Sequence, residues 1–152
     1  MTNRDDRMTH LEDRDALREQ SARSGVLADR GDADGVAALW EADGIYAVGG
    51  FGEARGHAEI AALISGPVHQ ALMADGCAHV MGPVTIDLNG DVALARGHSL
   101  VVRHGAGGFE VFRASVNRWQ LRKGSEGWRV IRRDNAPLDG QQAARALFDP
   151  PV

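Results

Sequence analysis

The second half of the chain most narrows what it can fold into. Four segments rich in branched residues, 78–88, 92–104, 109–122 and 127–136, are separated only by "NGD", "GAGG" and "KGSE". Glycine-bearing gaps this short signal hairpins, so an antiparallel meander is expected there. The first half reads differently. Residues 1–9 are polar and expected to fray, and from His10 to Arg30 the composition is helical. Leu11, Leu17 and Leu27 anchor that helix, but Gln20, Ser21, Ser24 and Gly25 interrupt the apolar stripe. Either the helix is marginal or it lines a polar cavity.

Gly31 is expected to stop this helix and Asp32 to cap the next, in which Val36, Leu39 and Trp40 form a short buried stripe. "GIYAVGGFG" reads as a strand running into a glycine-rich turn. Residues 57–74 return to helical spacing through Ile60, Leu63, Ile64, Val68 and Leu72, with Gly66-Pro67 breaking or kinking the run. Helices first and an antiparallel sheet afterwards give an α+β fold, the helices packed on one face of a curved sheet. The domain is expected over 10–136, with 137–152 a tail in which "GQQAARALF" can form a short helix.

Composition limits the partners. At 152 residues, 43% of them hydrophobic, one substantial core is possible. A net charge of -4 provides no basic surplus for nucleic acid. Cys77, the single cysteine, excludes an internal disulfide and any multi-cysteine zinc motif, which fits a reducing, cytoplasmic setting. The charged N-terminus is unlike a signal peptide, and no apolar run approaches the ~20 residues of a membrane helix. The glycines of "VGGFGEARG" and "GAGG" serve turns, since neither follows the strand-to-helix pattern of a phosphate loop.

Strand registers indicate which residues meet. Closing "NGD" on Leu88 and Val92 pairs Ile86 with Leu94 and Val84 with Arg96. A bulge at Gly82-Pro83 then turns His79 to the same face, opposite Leu100. Four-residue loops at "GAGG" and "KGSE" place His98 opposite Ser115, Leu100 opposite Arg113, Ser115 opposite Asp134 and Asn117 opposite Arg132. One face would thus carry His79, His98, Arg113, Ser115, Asn117, Arg132 and Asp134 beside Trp119, Trp128 and Val130. A face mixing aromatics with polar groups suits a pocket. The other, with Ala93, Ala95, Gly97, Ser99, Val101, Phe112, Ala114, Val116 and Ile131, suits contact with a second copy in a homodimer or homotrimer.

In order, "LEDRDALREQ", "LADRGDADGVAALWEADGIYAVGG", "GHAEIAAL", "AHVMGPVTIDLNGDVALARG" and "EGWRVIRR" resemble a SnoaL-like domain of the nuclear-transport-factor-2-like superfamily, over roughly residues 9–136. The resemblance implies a cone-shaped α+β barrel with the ligand inside. Its pattern is nearest scytalone dehydratase and hexachlorocyclohexane dehydrochlorinase, which pair an aspartate ending the first helix with a histidine in the strand after the third. Asp29 and His79 match those positions. "SVN" resembles a pocket Ser-x-Asn and implies ligand contacts for Ser115 and Asn117; His98 falls near a family histidine. Tyr46 lies near the family's strand tyrosine, and Ala28 stands where a second tyrosine would be.

Two readings of His79 follow. As a base, it is suited by an imidazole pKa of about 6.5, with a carboxylate on its other nitrogen fixing the tautomer. The expected chemistry is then cofactor-independent elimination or isomerisation of a small, hydrophobic, cyclic molecule, with Asp29 as orienting partner. Tyr46, His98, Arg113, Ser115, Asn117 and Trp119 would be the ligand contacts. As a packing residue, His79 would only line the pocket of a non-catalytic binding or assembly domain. No metal is expected: His98 and His104, six residues apart on one strand, would lie about 20 Å from each other. Cys77 reads as small and buried rather than nucleophilic.

Overall fold

The computed structural model describes residues 3–49 and 51–151. In chain order these form α1 (Arg4–Asp29), α2 (Ala33–Ala37), β1 (Trp40–Val48), β2 (Gly52–Arg55), α3 (Gly56–Ser65), α4 (Pro67–Asp75), β3 (Cys77–Asn89), β4 (Val92–Gly105), β5 (Gly108–Gly124), β6 (Gly127–Pro137) and α5 (Gln142–Ala146). The strands make one curved sheet ordered β2-β1-β6-β5-β4-β3. All neighbours are antiparallel except β1 and β6, which run parallel. The sheet stays open, with β2 and β3 as its edges.

Helix α1 starts at Arg4 rather than His10. Residues 4–9, expected to fray, form its first turns because Asp5 and Asp6 set negative charge against the positive end of the helix dipole. Its inner face is the polar stripe of the sequence: Leu17, Gln20, Ser21, Ser24, Gly25 and Ala28 are all buried. Gln20 Nε2 donates to the carbonyls of Leu39 and Trp128, tying the helix to the starts of the neighbouring strands β1 and β6. At Gly25 the helix backbone presses against β3, and a Cβ there would lie 2.3 Å from the His79 carbonyl oxygen. Gly31, at φ 69°, ends the helical stretch, and the Asp32 carboxylate caps α2 by accepting from the Gly35 N–H at 2.8 Å.

The hairpin segments match the expected strands closely; of their registers, "GAGG" closes as expected with His104 facing Phe109, while "KGSE" closes with Arg122 facing Arg129 rather than Gly127 and "NGD" slips by one residue. "NGD" closes with two loop residues, not three, so Asn89 faces Val92 and Ile86 faces Ala95. A one-residue slip exchanges the two faces of a strand. The inner face of β4 therefore carries Ala93 and Ala95, both in the main core, and the expected outer set is reversed at these positions. The Gly82-Pro83 bulge is present, between Met81 and Val84, and His79 faces Val101. Two further bulges, at Val101/Val102 and Gln120/Leu121, pair Ser99 with Ser115 and Asn117 with Asn135. Neither bulge is announced by glycine or proline.

The core lies between the helices and the sheet, around Leu17, Trp40, Ile60, Trp119, Leu121 and Val130. On the opposite face, the C-terminal segment folds back over the sheet. Arg96 and Arg118 donate to the carbonyls of Phe148, Leu147 and Asp149, and the Phe148 ring lies 4.8 Å from that of His98. The chain thus covers part of the face that the sequence offered for contact with a second copy. Among the described residues, no helix is long and apolar enough to cross a membrane.

Candidate functional site

Asp29 ends α1 one turn after Gly25, where the helix meets β3 most closely. Its carboxylate accepts the His79 backbone N–H at 2.9 Å and the ring Nδ1–H at 2.7 Å. That grip fixes the Nδ1–H tautomer and leaves the Nε2 lone pair without a partner among the described residues. His79 lines a cavity of about 340 Å³ between the helices and the sheet. Burial lowers the imidazole pKa and outweighs the opposite pull of Asp29, while His69 and Arg133 lower it further. The ring is therefore neutral near pH 7, with a basic nitrogen toward the cavity.

Apolar side chains dominate the cavity, among them Val36, Leu63, Met81 and Val101. Its exposed members, Phe51, Val68, Leu100 and Phe112, mark the rim. The polar groups gather on β4, β5 and β6. Arg113 donates from Nε to Ser115 Oγ at 3.0 Å and from Nη2 to Asn135 Oδ1 at 2.6 Å and the Gly49 carbonyl at 3.2 Å. Arg133 is buried, its guanidinium 4.0 Å from the Trp119 ring centroid and 4.6 Å from that of Tyr46. Its Nε and Nη2 donate to Asn117 Oδ1, which also accepts from Asn135 Nδ2. Asn117 Nδ2 donates to Ser99 Oγ at 2.8 Å. Burial lowers the pKa of both arginines; Tyr46 opposes this in each case, and Arg113 adds to it at Arg133.

Of the residues singled out from the sequence, His79, Tyr46, Arg113 and Ser115 line the cavity. Asp29 stands behind His79. Three expected ligand contacts are corrected. His98 points to the opposite face, against Phe148, because the bulge at Val101/Val102 shifts β5 by one residue and brings Ser99 inward instead. Asn117 lies beneath the cavity with its amide fully engaged. Trp119 is core, 6.1 Å from Trp40 and screened by Arg133. Arg132 and Asp134, expected inside, pair with each other and Glu53 on the far face, which leaves Arg133 and Asn135 inside.

The sequence reading also missed His69, buried in α4 with its ring 5.1 Å from that of His79. Nε2 of His69 donates to the Ala28 carbonyl at 2.8 Å, so its Nδ1 carries the lone pair. The break at Gly66-Pro67 resets the helical phase, so His69 turns inward and Val68 outward. A restart of the period at Pro67 is the signal that could have found it.

Donor atoms of Asp29, Cys77 and His79 lie within 4.8 Å of one another, a spacing that could admit a metal ion. The Asp29 carboxylate already holds both N–H groups of His79, however, and burial raises the Cys77 pKa, keeping its thiol protonated. A metal would have to displace both arrangements.

Helices over a curved, open, mostly antiparallel sheet, with a pocket between the layers, define the nuclear-transport-factor-2-like class with its cystatin-like fold. Within that class the SnoaL-like domain profile matches residues 9–134, and the chain belongs to this family. It is 52% identical to an NTF2-like protein with a cystatin-like fold from Novosphingobium aromaticivorans, at TM-score 0.95 over 99% of each chain. A function-unknown protein from Mycobacterium tuberculosis is 21% identical, at TM-score 0.75 over 98% of this chain and 85% of that one. A protein of unknown function from Nostoc punctiforme is 22% identical, at TM-score 0.66 over 84% and 92%. The last two establish the fold alone. No curated protein matches the chain.

Proposed function

We propose that the chain is a cofactor-independent lyase or isomerase acting on a small, ring-bearing molecule, with His79 as its base. The observation that carries this reading is the 2.7 Å bond from His79 Nδ1 to Asp29, which leaves a neutral Nε2 facing an apolar cavity. Nε2 takes a proton from a carbon of the bound molecule, and Asp29 stabilises the imidazolium as it forms. The electron pair of the broken C–H bond then forms a C=C bond. In elimination it expels a hydroxyl group, which leaves as water after receiving the proton from Nε2. In isomerisation the same proton returns to a different carbon.

A non-catalytic ligand-binding role is the second reading. It is favoured by Ala28, which puts a methyl group in the cavity wall where a tyrosine hydroxyl would polarise a leaving group in the dehydratase pattern. One experiment separates the two. Cyclic ketones and β-hydroxy ketones incubated with the protein in D2O should acquire deuterium next to the carbonyl, detected by mass spectrometry, and His79→Gln should abolish this. Exchange that survives the substitution removes His79 as the base. Compounds that bind without exchange establish the second reading.

A further inference from the structure

Among the described residues, two guanidiniums enter the cavity and no carboxylate does. Among the described residues, neither Arg113 nor Arg133 forms an ion pair; the arginine ion pairs belong to Arg23, Arg96, Arg103, Arg122 and Arg132. The partners of Arg113 and Arg133 are neutral: two asparagine carbonyls, one backbone carbonyl and one hydroxyl. Stacking on Trp119 and Tyr46 offsets only part of the cost of burying the Arg133 charge, and Arg113, half-buried, has no such stacking, so neither is compensated by an opposite charge.

The serines point the same way. Ser99 Oγ accepts from Asn117 Nδ2 and Ser115 Oγ accepts from Arg113 Nε, so each hydroxyl keeps its own proton to donate. Both line the cavity and face each other across β4 and β5. The polar end of the cavity is thus a cluster of donors, and His79 Nε2 supplies an acceptor elsewhere on the wall. A ligand that satisfies all of them carries negative oxygen at one end and an acidic proton at the other.

We propose that the cavity takes its ligand as a carboxylate, bound by Arg113, Arg133, Ser99 and Ser115, with an apolar ring against the helices. This rests on the reading given under the proposed function and names the substrate of that chemistry as a small, ionised alicyclic acid, for which an aromatic acid stands in as a binding probe. The planar guanidinium fork matches a carboxylate, and the desolvated surroundings strengthen each charge-assisted bond. Some 340 Å³ accommodates one ring and its acid group.

Binding of benzoate, benzamide and phenyl phosphate, measured by titration calorimetry and thermal shift, tests this without turnover. Benzoate at millimolar concentration should bind and raise the melting temperature, with benzamide at least about tenfold weaker. Arg113→Gln should weaken benzoate by about tenfold or more and benzamide by less, and Ser115→Ala should weaken benzoate to a smaller extent. Equal binding of benzoate and benzamide, no binding of benzoate, or a preference for phenyl phosphate overturns the proposal. His79→Gln should keep the preference for benzoate over benzamide. Loss of proton exchange in that variant with this preference intact concerns the base alone, and indifference to ligand charge concerns the donors alone.

Discussion

Asp29 holds His79 at two points, with one carboxylate accepting both the backbone N–H and the ring Nδ1–H. The backbone bond fixes where the strand passes the helix end, and the ring bond fixes which way the imidazole turns. A carboxylate at a helix C-terminus works against the dipole, and these two bonds offset that cost.

Asp29→Asn therefore has a signed outcome. Burial already lowers the His79 pKa, and Asp29 supplies the pull that raises it. Removing the charge should lower the value further, so the His79 ring protons titrate at lower pH by NMR than in the wild type. Any proton-exchange activity should fall by roughly 10²–10⁴-fold, since the imidazolium loses its partner.

His69→Phe should move the same titration upward. His69 opposes a positive charge on His79 at a ring separation of 5.1 Å. The substitution also removes one of two hydrogen bonds to the Ala28 carbonyl, which keeps the Gly31 N–H at 3.0 Å, and should cost about 0.5–1.5 kcal/mol in chemical denaturation. Opposite pKa shifts from these two variants, read on one resonance, separate an electrostatic effect from general loosening.

Stability should follow pH through His79 in a definite direction. Its folded pKa lies below the unfolded value of about 6.5, so its contribution is complete above that pH. As pH falls from there through the folded pKa, the unfolded chain binds the proton more readily and that contribution is lost. Urea midpoints measured across this range should fall, and His79→Gln should flatten the decline.

Gly25 looks replaceable in a helix, where alanine gains about 1 kcal/mol of propensity. The 2.3 Å approach of its missing Cβ to the His79 carbonyl reverses the sign. Gly25→Ala should destabilise by about 1–3 kcal/mol, because α1 must move away from β3. Asp29 moves with it, so His79 should titrate as in Asp29→Asn.

The elements were legible in the sequence because glycine and proline punctuate them: Gly31 ends a helix, Gly66-Pro67 divides two, and "NGD", "GAGG" and "KGSE" turn the hairpins. Side-chain facing was legible only where a bulge has a chemical mark. Gly82-Pro83 marks one, and the Asp29–His79 contact depends on that one. The extra residues at the other two, Phe112 and Ile131, are ordinary strand formers, and each inverts the faces beyond it. That is why Ser99, Arg133 and Asn135 stand where His98, Arg132 and Asp134 were expected. The covering of the outer face was not legible either, because it depends on Arg96 and Arg118 finding backbone carbonyls some thirty to fifty residues away.

Asn117→Asp isolates the uncompensated charge. Asn117 Oδ1 accepts from Arg133 twice and from Asn135 once, so a carboxylate of nearly the same shape would meet three donors already in place. The lost bond from Nδ2 to Ser99 is recoverable, because the Ser99 hydroxyl can turn and donate to the new oxygen. Most substitutions of a buried asparagine destabilise; this one should leave the melting temperature equal or higher at neutral pH, since Arg133 gains a counter-charge. The new carboxyl is held below its ordinary value of about 3.9, so the gain is present above that pH and lost as pH falls through the folded pKa. The ligand should feel the reverse. With one guanidinium neutralised from within, benzoate should bind at least about tenfold more weakly and benzamide unchanged, measured by calorimetry. A variant that is destabilised, or that binds benzoate as well as the wild type, would show that Arg133 is already balanced by its neutral partners.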